Sequence, residues 1–352
     1  MVRTRLGRCG LLLAVVVAAL VATVPLQAAE ENSYTVTPLV SDQPGVAPVQ
    51  DANLVNGWGL VASSTSPWWV ADNGTSKSTL YNGNTGQPVS LVVSLGEDSG
   101  PTGAVFNGGA GFVVKEGTAS APARFIFDGE DGLIRGWNPT VDATNAVIAP
   151  ADADPGAIYK GLAIANGMLY ASDFHNGVVD VFDGAWKLVD QFTDPGLPAG
   201  YAPFGIQAID SQIFVTFAKQ DAAAEDEVAG QGRGFVDVFD TSGSLVERVA
   251  QHGLLNAPWG LARAPSGFGR FSGDLLVGNF GDGTINAYEH QENGHFEFRG
   301  QLRDGSGRAV EIDGLWALEF GNDANAGPAK TLFFTAGPDD ETHGLFGRIT
   351  AG

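Results

Sequence analysis

Three features of the sequence predict an all-β fold, specifically a six-bladed β-propeller whose last blade is closed by the N-terminal strand. Short apolar runs at 68–70, 178–182, 235–239 and 275–277 sit between clusters of Gly, Asn and Asp, and no stretch sustains a helical period. A step of one aromatic or small residue, then Gly, then an aliphatic residue recurs along the chain. The 352 residues, 44% hydrophobic and only 17% charged, suffice for one large β domain and exclude a disordered or collagenous chain.

The blades follow in order from the recurring step. It reads Trp58-Gly59-Leu60, Thr102-Gly103-Ala104, Lys160-Gly161-Leu162, Phe204-Gly205-Ile206, Trp259-Gly260-Leu261 and, as a weaker sixth copy, Trp316-Ala317-Leu318. The middle residues are 44, 58, 44, 55 and 57 apart, room for about four strands per copy. Asp or Asn followed four residues later by Gly marks hairpin tips at 128–132, 173–177 and 279–283. Only 35 residues follow Ala317, while Tyr34-Thr-Val-Thr-Pro-Leu39 is a strand-like run outside any copy, so the N-terminal strand is expected to complete the last blade. Blade two carries an extra apolar run at 111–115. Blade four carries an acid-rich insertion from Lys219 to Arg233, which reads either as a functional loop or as a solvated one.

Arg3, Arg5 and Arg8 precede an uncharged run over 11–24, and Pro25 to Ala29 lead into Glu30. That order is the pattern of a Sec-type secretory signal peptide over residues 1–29, too short and wrongly flanked for a membrane span. The expected product is secreted or periplasmic, without a membrane anchor after cleavage, and residues 30–352 form a single propeller domain. Losing the leader removes three arginines, no acid and the one cysteine, Cys9, which moves the net charge from −21 to −24. Such acidity argues against nucleic acid and anionic membrane as partners. With no remaining cysteine, the fold must rest on core size and ring closure.

Through its Gly-aliphatic starts and Asp-to-Gly hairpins, the chain resembles six-bladed propellers of the NHL-repeat and gluconolactonase-like kind. It is more closely similar to a family of secreted bacterial proteins of unknown function, in the runs at 256–262, 275–283, 313–318, 334–338 and 344–347. The match spans nearly all of the chain after the leader and implies no reaction. Some such relatives end in an anchoring signal with a Pro-Glu-Pro motif; the ending Ile349-Thr-Ala-Gly352 implies release by comparison. Lactonase-like propellers hold a divalent metal with acidic and amide side chains near the Gly-aliphatic starts. The residues preceding the starts here include no carboxylate or amide, so the resemblance does not carry lactonase activity over.

Candidate ligand-binding residues are Trp58, Phe204, Trp259 and Trp316, which form either an aromatic cup in the funnel or core between blades. Lys160 and Lys219, near the expected rim, can orient an anionic ligand or form ordinary salt bridges; Asn279 opens the hairpin of blade five. His175 and His343, in hairpins on one face, suggest a mixed metal site with Asp173 and Asp340, or solvated turns. The acid-rich tips around Asp128, Glu130 and Asp131, and around Asp221, Glu225, Asp226 and Glu227, suit Ca²⁺ chemically but match no dedicated loop. Asn73-Gly-Thr75 fits a glycosylation triplet and equally a turn. Nucleophilic catalysis has no motif behind it. The leading expectation is a monomer that binds a small molecule or extracellular polymer in its funnel. The alternatives are a metal-dependent hydrolase or lyase, using Ca²⁺ or a transition metal, and a protein-binding scaffold.

Overall fold

Each step lies on the innermost strand of a blade, and six blades are arranged around one axis, five of them four-stranded antiparallel sheets and the last a five-stranded sheet. The computed structural model describes residues 1–2 and 31–352; the expected leader and its cleavage site lie outside the described residues, apart from Met1 and Val2. Residues 31–352 form one compact unit. The inner strands of blades one to six are Gly57–Val61, Pro101–Phe106, Tyr159–Ala165, Tyr201–Ile209, Pro258–Arg263 and Leu315–Phe320; each packs on the next, and the last meets the first. No helix among the described residues is long and apolar enough to cross a membrane.

The glycine of the first five steps is required because neighbouring inner strands abut there. A Cβ on Gly205 would lie 2.0 Å from Trp259 O, one on Gly260 2.5 Å from Trp316 O, and one on Gly103 2.3 Å from Leu162 N. Every inner strand also inserts one extra residue relative to its partner across the step, as in Gly57↔Asp72 followed by Leu60↔Val70, or Pro203↔Phe217 followed by Ile206↔Val215. Such bulges leave a backbone N–H off the ladder and re-aim the neighbouring side chain. In three blades a side chain on the second strand takes up the bulge. Asp128 Oδ1 accepts from Gly103 N (2.6 Å), Thr216 Oγ1 from Gly205 N (2.8 Å) and Thr335 Oγ1 from Ala317 N (3.1 Å).

Closure follows the expectation. Tyr34–Ser41 pairs antiparallel with Leu345–Ala351, from Tyr34↔Ala351 to Ser41↔Leu345, and forms blade six with Leu315–Phe320 and Leu332–Ala336. The two-residue strand Val49–Gln50 adds a parallel edge. Tyr34 packs its ring on Phe268 and Phe271 and donates its hydroxyl to Phe268 O (3.1 Å), fastening the closing strand to blade five. The extra apolar run of blade two becomes the hairpin Val113–Glu116 and Ala119–Pro122, held to blade three by Trp186 Nε1 donating to Val113 O (2.8 Å). The insertion over 219–233 joins the second and third strands of blade four. It therefore lies on the same face as the hairpin tips of the other blades, the upper face.

Candidate functional site

The bulged strands turn their aromatic residues inward, where the rings fill the upper channel. Trp58 stacks on Trp316 with centroids 3.6 Å apart, Phe280 stacks on Trp316 at 4.0 Å, and Phe204 and Trp259 meet Trp316 edge-on at 5.9 Å. Trp259 Nε1 donates to Lys160 O (2.7 Å) and Trp316 Nε1 to Asn56 Oδ1 (2.8 Å). Trp58, Phe204, Trp259 and Trp316 are all buried, so in place of an open cup they make a plug.

A polar cage sits against this plug. Lys160, only 1% exposed, holds its ammonium 5.3 Å from the Trp58 ring, pairs with Glu130, and reaches Asp226 at 3.2 Å. Asn73 Nδ2 donates to the other oxygen of Glu130 (2.9 Å), and Asn56 Nδ2 donates to Glu341 Oε2 (2.6 Å). Burial pushes the Glu227 carboxyl up to about 8, against the pull of Lys160, so at neutral pH it is mostly a hydrogen-bond donor. Glu341 is also raised, first by burial and then by the charges of Glu130 and Asp226, offset by Asn56 and Lys160. Asp339, Asp340 and Glu341 have φ of 56°, 52° and 63°, three consecutive left-handed residues where glycine would ordinarily be expected. These groups come from five of the six blades: Asn56 and Asn73 from one, Glu130 from two, Lys160 from three, Asp226 and Glu227 from the insertion of four, and Glu341 from six.

Lys160 alone among the expected polar ligand residues lies in this cage. Its charge is met by the Glu130 and Asp226 carboxylates, the salt-bridge alternative expected for it. Lys219 sits 5.4 Å over the Tyr201 ring, away from the cage. Asn279 is buried in its own hairpin, donating to Leu254 O and Thr284 Oγ1 and accepting from Asn256 N.

The expected His and carboxylate metal set does not assemble. His175 is exposed and faces Ala224 O (3.2 Å), His343 pairs with Asp42 (2.7 Å), and Asp340 is exposed; the two histidines belong to opposite blades, three and six. Asp173 instead joins Asp154 and Asp180 in blade three, where one oxygen of each lies within 4.8 Å of the others, a group that could hold a metal. Gln191 Nε2 donates to Asp154 (2.6 Å) and Asp180 (2.8 Å), and Tyr159 donates to Asp180 (2.7 Å). Burial raises Asp180 to about 6 and also raises Asp173. Blade four places Arg248 opposite Asp237, as blade three places Gln191 opposite Asp180, and Arg248 bridges Asp237 and Asp194.

Below the plug the channel narrows between Gly59, Gly103, Leu162, Ile206 and Ala317, then opens to a chamber of about 220 Å³ on the lower face. Glu319 lines it and accepts from Gln207 Nε2 (2.9 Å); burial among aliphatic walls pushes its carboxyl up to about 8.

No family model matches the sequence. Among solved structures, the soluble aldose sugar dehydrogenase of Escherichia coli is similar with a TM-score of 0.55 and 11% identity, covering 91% of this chain and 100% of that one. Virginiamycin B lyase from Staphylococcus aureus is similar with a TM-score of 0.50 and 14% identity, covering 90% and 99%. At those identities the likeness shows the six-bladed fold alone. An uncharacterized protein of Acanthamoeba polyphaga mimivirus is 32% identical over 330 residues, covering 90% of this chain and 80% of its own length. A second from the same virus is 31% identical over 331 residues, covering 90% and 86%. These relatives are viral, not bacterial as the sequence resemblance implied. The chain belongs to the family of these uncharacterized mimivirus proteins.

Proposed function

We propose that this chain binds a small neutral or cationic molecule at the upper mouth of its channel, held by the cage of Glu130, Asp226, Glu227 and Glu341 around Lys160. One observation carries the reading: the buried Lys160 ammonium pairs with carboxylates from blades two and four, with Asn73, Asn56 and Glu341 of blades one and six set beside them. Lys160 and Asn56 are buried while Glu130 is 34% and Asp226 73% exposed, so the cluster turns carboxylates toward solvent around one buried ammonium, an arrangement explained better by use than by folding. Three carboxylates, one carboxylic acid and one ammonium leave the mouth net negative, which disfavours anions and suits hydroxyl or amine donors. The expected export over 1–29 would place this activity outside the cytoplasm.

A thermal-shift screen of the full chain with aldoses, polyols and primary amines, followed by calorimetry on the best stabiliser, tests the reading. Glu341→Gln should weaken that compound by about tenfold or more, the usual effect of losing a charged hydrogen-bond partner. Unchanged affinity in Glu341→Gln would move the site elsewhere.

A second reading, a metal-dependent enzyme, is favoured by the blade-three carboxylates, where Gln191 replaces the arginine of blade four. Metal analysis of the purified chain decides it: one divalent ion per chain, lost in Asp180→Asn, supports the reading, and a metal-free chain after incubation with Ca²⁺ and Mn²⁺ removes it.

A further inference from the structure

A second concavity lies on the lower face, between blades one and two. Its bounding loop at 62–67 joins the first and second strands of blade one, whereas the mouth hairpins join second and third strands, so the two sites open on opposite faces. The cleft measures about 590 Å³, within the ordinary size range of small-molecule sites.

Its floor is aromatic. Trp69 stacks on Phe125 at 4.1 Å, Trp137 tilts against Trp69 at 4.8 Å, and Phe106 tilts against Phe125 at 5.4 Å. Trp69, Phe125 and Trp137 are nearly buried, while Phe106 is half-buried. One wall is fixed in advance. Asn322 Nδ2 donates to Ser63 O (2.8 Å) and Ser66 O (3.0 Å), and Asn325 Nδ2 donates to Thr65 O (2.9 Å), so ordering this loop is no part of the cost of binding.

At the rim stands Arg124. It is exposed, lines the cleft, and among the described residues its guanidinium has neither an ion pair nor a hydrogen bond. A free guanidinium fork beside aromatic side chains matches a carboxylate joined to a flat apolar body: the fork takes both oxygens, and the rings and Leu80 take the body.

We infer that this cleft binds a small aryl carboxylate, with Arg124 holding the acid group and Phe106 and Trp69 contacting the ring. It is a site distinct from the channel mouth, with the opposite charge preference.

Calorimetry of the full chain with cinnamate tests it, with cinnamyl alcohol and glucuronate as controls for the charge and the ring. Cinnamate should bind one-to-one, and both controls should bind at least about tenfold more weakly. Arg124→Gln should weaken cinnamate by about tenfold or more at an unchanged melting temperature, because the side chain is exposed and unpaired. Phe106→Leu should weaken it as well, and Glu341→Gln should leave it unaltered. Absence of saturable binding at millimolar cinnamate, indifference to Arg124→Gln, tighter binding of glucuronate, or loss of cinnamate in Glu341→Gln would each overturn the inference.

Discussion

Glu319 shows how much of this molecule is decided by where a single carboxyl points. Lining the lower chamber, it keeps a proton up to about pH 8 that the unfolded chain releases near the ordinary carboxyl value of 4.5. The folded state therefore binds more protons between those limits, and stability falls as pH rises from about 4.5 to 8, then levels off. Glu319→Gln should leave the melting temperature almost unchanged at pH 5 and raise it at pH 8; parallel pH curves for the two proteins would refute the assignment. Asp128, raised to about 7 by burial beside Gly103, acts in the same direction. None of this is visible in the sequence, where Glu319 follows an ordinary strand pattern. The cage was half visible: Lys160 stands at a repeat start, and Glu130, Asp226, Glu227 and Glu341 lie in tips that read equally well as solvated. What sequence could not supply was direction. Asn56 has no motif at all, and only the fold brings it to Glu341, 285 positions away.

At the scale of elements, the same physics made the architecture legible. The glycine of the first five steps recurs because those blades solve the same problem, an inner strand pressed against the next with little room for a Cβ, whereas blade six carries Ala317 there. Closure was readable because the C-terminal copy ran short and an unpaired strand preceded the first. The aromatic starts were not fully readable, because ring orientation depends on the bulge across the step, which no residue type announces. Deleting residues 31–41 removes the whole antiparallel pairing with Leu345–Ala351 and the Tyr34 anchor on blade five. The melting temperature should fall by on the order of 10 °C or more, given that about 1 kcal/mol corresponds to a few degrees in a domain of this size. An unaltered melt would show that the ring does not depend on this closure.

For the whole molecule, the ring separates two environments by charge. The upper face gathers carboxylates around one buried ammonium over an aromatic plug, and the lower face offers an unpaired guanidinium beside aromatic side chains. A propeller suits that division because its strands give a rigid frame while hairpins at each end vary independently. Soaking crystals of the full chain with a library of small neutral and amine-bearing fragments tests this account most directly. Density should appear at the upper mouth, in contact with Glu227, Glu341 or Glu130, and should vanish there in crystals of Glu341→Gln. Fragments distributed over the surface with none at the mouth would contradict it.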